Sequence, residues 1–115
     1  MEISTSHEGS MHIIAVNGDL DASSSIVLDR AIAEAVSASK HNIVIDCNQL
    51  NYISSAGLGV FMSYLQDFQD KNISLLLFGL NEKVMNVFEI LGLDQLLTIV
   101  PSKEEARMLV NDPLL

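Results

Sequence analysis

Ile43-Val44-Ile45 and Ile73-Ser74-Leu75-Leu76-Leu77-Phe78 are two apolar runs of strand length, and the segment between them decides the fold. From about Ser55 to Gln69, Leu58, Phe61, Met62, Leu65 and Phe68 recur at helical spacing and form one apolar stripe. A strand that is apolar at every position has both faces covered, as the central strands of a parallel sheet do. Strand, helix and strand in that order make the repeating unit of an α/β fold, closed by a right-handed crossover.

On the N-terminal side, Met11 to Val16 alternates, and a short edge strand is expected around Ile3 with Glu8-Gly9-Ser10 as the turn between them. The chain thus opens on a β-hairpin. Gly18-Asp19-Leu20-Asp21 closes the second strand, and Ile26, Ala31, Ala35 and Val36 then sit near helical spacing. Asp21 is the expected N-cap, its carboxylate accepting from the first-turn N–H groups. On the C-terminal side, a helix is expected over 81–91, a fifth strand over 96–100 and a closing helix over 102–110, where Ser102 and Glu105 form a capping-box pattern. Asn111 to Leu115 reads as a helix stop and tail. The expected architecture is a mixed sheet of about five strands with about four helices, in one domain over 1–115.

The chain has 115 residues, 49% of them hydrophobic but only 5% aromatic, so its core must be built from Leu, Ile, Val, Ala and Met. Six basic residues against 15 acidic ones give a formal charge of −9, which repels nucleic-acid backbones and anionic membranes. That acidity serves solubility or steers a basic protein partner. Cys47 is the only cysteine, which leaves no intramolecular disulfide and no cysteine-based metal site. No secretory pattern or membrane-length apolar run is present, and a reducing cytoplasmic setting is expected. No metal or cofactor is called for.

Ligand sites in open α/β sheets gather where strands end at their carboxyl edge and a loop enters a helix. Here that place is Asp46 to Gly59. Two glycines in the first turns of a helix each weaken it by about 1 kcal/mol relative to alanine and need a reason. Gly57 or Gly59 lets the helix pack closely on the sheet while Ser54 or Ser55 caps it, or the glycines leave the helix start bare for another protein's backbone. On the face opposite the core stripe stand Ala56, Val60, Ser63, Tyr64 and Asp67. Val60 and Tyr64 either lie against a neighbouring element or form the apolar centre of a partner patch.

Ser54-Ser55-Ala56-Gly57-Leu58-Gly59-Val60 resembles the signature of anti-sigma factor antagonists, which are stand-alone STAS domains. Gly18-Asp19-Leu20-Asp21 is similar to that family's turn after the second strand, and the element order fits almost the whole chain. The resemblance implies an unphosphorylated protein that binds an anti-sigma factor serine kinase and so releases a sigma factor. It places the phosphate acceptor on Ser55, with Ser54 as the alternative because some members carry aspartate there, and it implies a serine phosphatase that resets the switch. Together the motif and the outward helix face give an expected partner surface of Asp21, Ser54, Ala56, Gly57, Gly59, Val60, Ser63 and Tyr64, on a chain expected to be a monomer and not an enzyme.

Rival readings are weaker. STAS-like domains also serve as scaffolds or as accessory modules of transporters and lipid transport, but no membrane segment is attached here. A phospho-aspartate receiver would use Asp19, Asp21 and Asp46 with Lys103, yet no helix separates the first two strands. A serine hydrolase lacks Gly-x-Ser-x-Gly. A nucleotide-binding loop lacks Gly-Lys-Ser/Thr after Gly59. His7, His12 and His41 lie outside the helix-start motif and are expected at the surface or an edge.

Overall fold

The computed structural model describes residues 2–111, and side chains through residue 110. The elements are β1 (Glu2–Glu8), β2 (Met11–Leu20), α1 (Ala22–Ser37), β3 (Asn42–Asp46), β4 (Leu50–Ile53), α2 (Ser55–Lys71), β5 (Ser74–Phe78), α3 (Glu82–Ile90), a 3-10 turn (Leu93–Gln95), β6 (Thr98–Val100) and α4 (Lys103–Asn111). The main sheet runs β1-β2-β3-β5-β6, antiparallel only between β1 and β2. The expected mixed sheet with an opening hairpin is thus what forms.

Period-two alternation sorts the strands' side chains onto two faces. On one face Ile14, Val16, Ile43, Ile45, Leu75 and Leu77 join Leu28 and Ile32 of α1, Phe61 and Phe68 of α2, and Val84 and Phe88 of α3. On the other, Met11, Ile13, Val44, Leu76 and Phe78 gather around Ala106 of α4. Coverage on both sides is why the buried runs Ile43–Ile45 of β3 and Leu75–Phe78 of β5 are apolar without a break.

Four expectations need correction. The loop after Asp46 contains a sixth strand, β4, which pairs in parallel with the far end of β2. β2 pairs with β3 from His12 to Ala15 and with β4 from Gly18 to Leu20, where the register shifts because Asn51 of β4 is passed over between the Gly18–Leu50 and Asp19–Tyr52 pairs. Gly18, at φ 104°, takes the left-handed conformation this divergence needs, and its N–H donates to the Gln49 carbonyl at 2.8 Å. A four-residue strand buried only at Leu50 and Ile53 carries too little alternation to be read in advance.

In α1, Ile26 points outward at 63% exposure, and the inward positions are Ser24, Ser25, Leu28, Ile32 and Ala35. The Asp21 cap sets where the helix starts, and packing of Leu28, Ile32 and Ala35 in the main core decides which face turns inward. The two inward serines are satisfied locally, Ser24 Oγ on Asp21 Oδ1 and Ser25 Oγ on the Asp21 carbonyl. His12 is buried, not at the surface, because β2 is an interior strand and His7 of β1 lies directly across from it. The last strand is three residues, because Leu96 and Leu97 still belong to the end of the 3-10 turn, with the Leu97 N–H on the Leu93 carbonyl. In α2, Met62 and Leu65 are half-buried beside the buried Leu58, Phe61 and Phe68.

Candidate functional site

Parallel pairing of β2 with β4 sets Leu20 beside Ile53, so the residues that follow, Asp21 and Ser54, begin two helices side by side at the carboxyl end of the sheet. The Ser54 N–H donates to the Leu20 carbonyl at 2.9 Å, which ties the two starts together. Each start is capped by its own side chain. Asp21 Oδ1 accepts from the Ser24 N–H, the Ser24 hydroxyl and the Ser23 hydroxyl at 2.9–3.0 Å, and the Ser24 hydroxyl also accepts from the Asp21 N–H, completing a capping box. These bonds, led by those from Ser24, hold the Asp21 carboxyl at a pKa of about 2.

The adjacent serines divide their roles. Ser54 has extended backbone angles and a half-buried side chain, and its Oγ accepts from the Gly57 N–H at 3.2 Å, so Ser54 is the N-cap of α2. Ser55 is the first helical residue and is exposed, and its hydroxyl has no hydrogen-bond partner among the described residues. The site therefore presents one free hydroxyl beside one that is engaged.

The glycines divide in the same way. Gly57 is buried, and a Cβ there would fall 2.7 Å from Leu20 Cδ2 and 3.0 Å from Ile53 Cγ1. Its role is close packing of α2 on the β2–β4 pair, the first of the two readings left open for the glycines. Gly59 is exposed, with nothing within 4 Å of an added Cβ, and there the open surface exists.

Farther along α2, Ala56 and Ser63 are exposed while Val60 and Tyr64 are half-buried and pack on the main core. Tyr64 Oη donates to Asp29 Oδ1 of α1 at 2.8 Å, and its ring lies 5.3 Å from that of Phe68. Partial burial, followed by the Asp29 carboxylate, pushes the Tyr64 phenol up to about 12. Tyr64 is thus a strut between α1 and α2, and the exposed polar edge of the site narrows to Ser55, Ala56, Gly59 and Ser63, with Val60 at its margin. Asp29 and the half-exposed Tyr52 of β4, two residues before Ser54, were not foreseen. Asp29 carries no sequence signal because its partner is 35 residues away. Tyr52 lies within the Asp46 to Gly59 segment, but its exposure depends on β4 forming.

The acidic residues weighed for a receiver do not act together. Asp21 caps α1, Asp46 Oδ1 accepts from the Asn48 N–H at 3.0 Å, and Lys103 pairs with Glu8 at 2.7 Å on the α4 side. Cys47 is buried, and burial raises its thiol pKa well above the usual range, so it is an inert core residue. Among the described residues no helix is long and apolar enough to cross a membrane.

The STAS domain family model matches residues 2–106. The anti-sigma-B factor antagonist of Listeria monocytogenes is 34% identical over 88 residues, covering 75% of each chain. A solved anti-sigma factor antagonist from Mycobacterium paratuberculosis superposes with a TM-score of 0.87 at 19% identity, covering 96% of this chain and 94% of its own. The phosphorylated form of the Bacillus cell-fate determinant SpoIIAA gives 0.73 at 18% identity, covering 96% and 100%. The last two likenesses concern the fold alone. Family model, identity and the capped helix pair converge: the chain belongs to the STAS domain family, among its anti-sigma factor antagonists.

Proposed function

We propose that this protein is a phosphorylation-switched antagonist whose unmodified Ser55 face binds an anti-sigma factor serine kinase and thereby releases a sigma factor. The observation that carries the reading is the unengaged, exposed Ser55 hydroxyl next to a Ser54 hydroxyl already committed to the helix. A kinase working on Ser54 would have to break the cap, whereas Ser55 is accessible at no such cost. The Bacillus neighbour, described in a phosphorylated form, and the antagonist named in Listeria support the same reading.

A phosphate adds about −1.5 to −2 charges at neutral pH. At the start of α2 it meets the positive helix end and unpaired N–H groups, which favour an anion by about 0.3–1 kcal/mol. The host fold therefore stays intact. Under a docked partner the same group must be desolvated or leave a gap, a penalty of several kcal/mol, and each ~1.4 kcal/mol is tenfold in affinity. Binding is lost while stability is kept. The docking surface spans Asp21, Ser54, Ser55, Ala56, Gly59, Val60 and Ser63. A serine phosphatase resets the switch, and the protein works as a cytoplasmic monomer.

The test is a pull-down with wild type, Ser55→Ala and Ser55→Asp, with mass spectrometry of the phosphopeptide after kinase treatment. Ser55→Ala should bind constitutively and Ser55→Asp weakly, with the phosphate on Ser55. Equal partner affinity of the phosphorylated and unmodified protein refutes the switch.

A further inference from the structure

At the end of the sheet opposite Ser55, His7 of β1 and His12 of β2 are directly paired across the hairpin. Their facing nitrogens, His7 Nε2 and His12 Nδ1, are 2.8 Å apart, with the rings edge to face at 4.7 Å between centroids. His12 is buried and His7 exposed, so one imidazole is held by packing and the other can turn. Both line a cleft of 270 Å³ that His41 and Lys40 also border. The antagonist function uses none of these groups.

Two nitrogens at this spacing are close to the bite of a chelate. An ion about 2.0–2.1 Å from each would see them at an angle of about 85–90°. That is the adjacent-ligand angle of a tetragonal centre, whereas a tetrahedral ion would need them about 3.4 Å apart. Imidazole also suits late first-row divalent ions, with Cu²⁺ at the top of the affinity order. We infer that the His7–His12 pair is a two-histidine site for a tetragonal divalent ion, Cu²⁺ foremost and Ni²⁺ second, with water in the remaining positions. Chelation replaces the His7–His12 hydrogen bond: the shared proton moves to the outer nitrogen of its own imidazole, the exposed His7 ring turns so that both inner lone pairs face the ion, and no net proton is released. Lys40 opposes the cation and the chain's charge of −9 favours it. Among the described residues no three His, Cys, Asp or Glu side chains converge on a metal position, so His41 remains outside the site.

The experiment titrates the purified full chain at pH 7.5 with Cu²⁺, Ni²⁺ and Zn²⁺ by calorimetry, and records the electron paramagnetic resonance spectrum of the copper complex. One Cu²⁺ should bind per chain, with hyperfine structure from two imidazole nitrogens and with Zn²⁺ weaker. His7→Ala and His7→Gln, at an exposed edge-strand position, should each weaken Cu²⁺ at least tenfold and leave a one-nitrogen spectrum at most, while His41→Ala stays within twofold of wild type. Circular dichroism confirms that each variant is folded. Unchanged copper affinity in both His7 variants, a tenfold loss in His41→Ala, or Zn²⁺ binding as tightly as Cu²⁺ overturns the assignment.

Discussion

Replacing each of the two adjacent serines by alanine separates a structural hydroxyl from a functional one. Ser54 Oγ accepts from the Gly57 N–H at 3.2 Å at the start of α2, and loss of an N-cap serine costs about 1 kcal/mol, within a range of about 0.5–2. Unfolding entropy near 2.1 cal/mol/K per residue, over 115 residues, converts 1 kcal/mol into a Tm change of about 4 °C. Ser54→Ala should therefore melt about 4 °C below wild type. Ser55 is exposed and makes no capping bond, so Ser55→Ala falls within the ±0.5 kcal/mol of ordinary surface changes, or about 2 °C. Ser54→Asn supplies another capping oxygen and should recover most of the loss. Differential scanning calorimetry at one pH and one protein concentration reads all three. Equal melting of the two alanine variants, or a larger loss at Ser55, would refute the division of roles on which the choice of phosphate acceptor rests.

The glycines make a second pair: Gly59→Ala, with open space around its Cβ, should raise stability by about 0.5–1 kcal/mol. Gly57→Val, forced against Leu20 and Ile53, should lower it by about 1–3 kcal/mol in urea unfolding; the opposite order contradicts the packing role. In an ultraviolet pH titration one tyrosine should ionise only near pH 12, and Tyr64→Phe should remove that step at a cost of about 0.5–1.5 kcal/mol; a step that survives places it elsewhere. The pH dependence has a definite sign. Burial, then His7, lowers the His12 pKa in the folded state, so the unfolded chain binds more protons and stability declines as pH drops below about 6.5. Asp21, held near 2 in the fold, loses its contribution as pH falls from about 4 to about 2. Urea midpoints at pH 7.5, 5.5 and 3 should descend in that order, and a midpoint higher at 5.5 than at 7.5 contradicts the burial of a neutral His12.

Much of this protein is written locally. The unbroken apolar runs at Ile43-Val44-Ile45 and 73–78 depend only on coverage of both sheet faces, and they announce a parallel core. The α2 stripe, the cap at Asp21 and the serine-glycine start of α2 are short-range patterns whose physics is complete within a few residues. Long-range pairing decided what remained. β4 exists because the end of β2 from Gly18 to Leu20 runs past β3 and offers a second edge, which no property of Leu50 to Ile53 alone reveals. Ile26 faces outward because packing of Leu28, Ile32 and Ala35 in the main core decides which face of α1 turns inward, while Gly57 is buried because Leu20, 37 positions earlier, closes over it. Sequence by itself determined that a helix begins at two serines on the carboxyl edge of a parallel sheet. Only the tertiary structure decided which serine is bound and which is free, because that depends on which backbone N–H lies within reach of each hydroxyl.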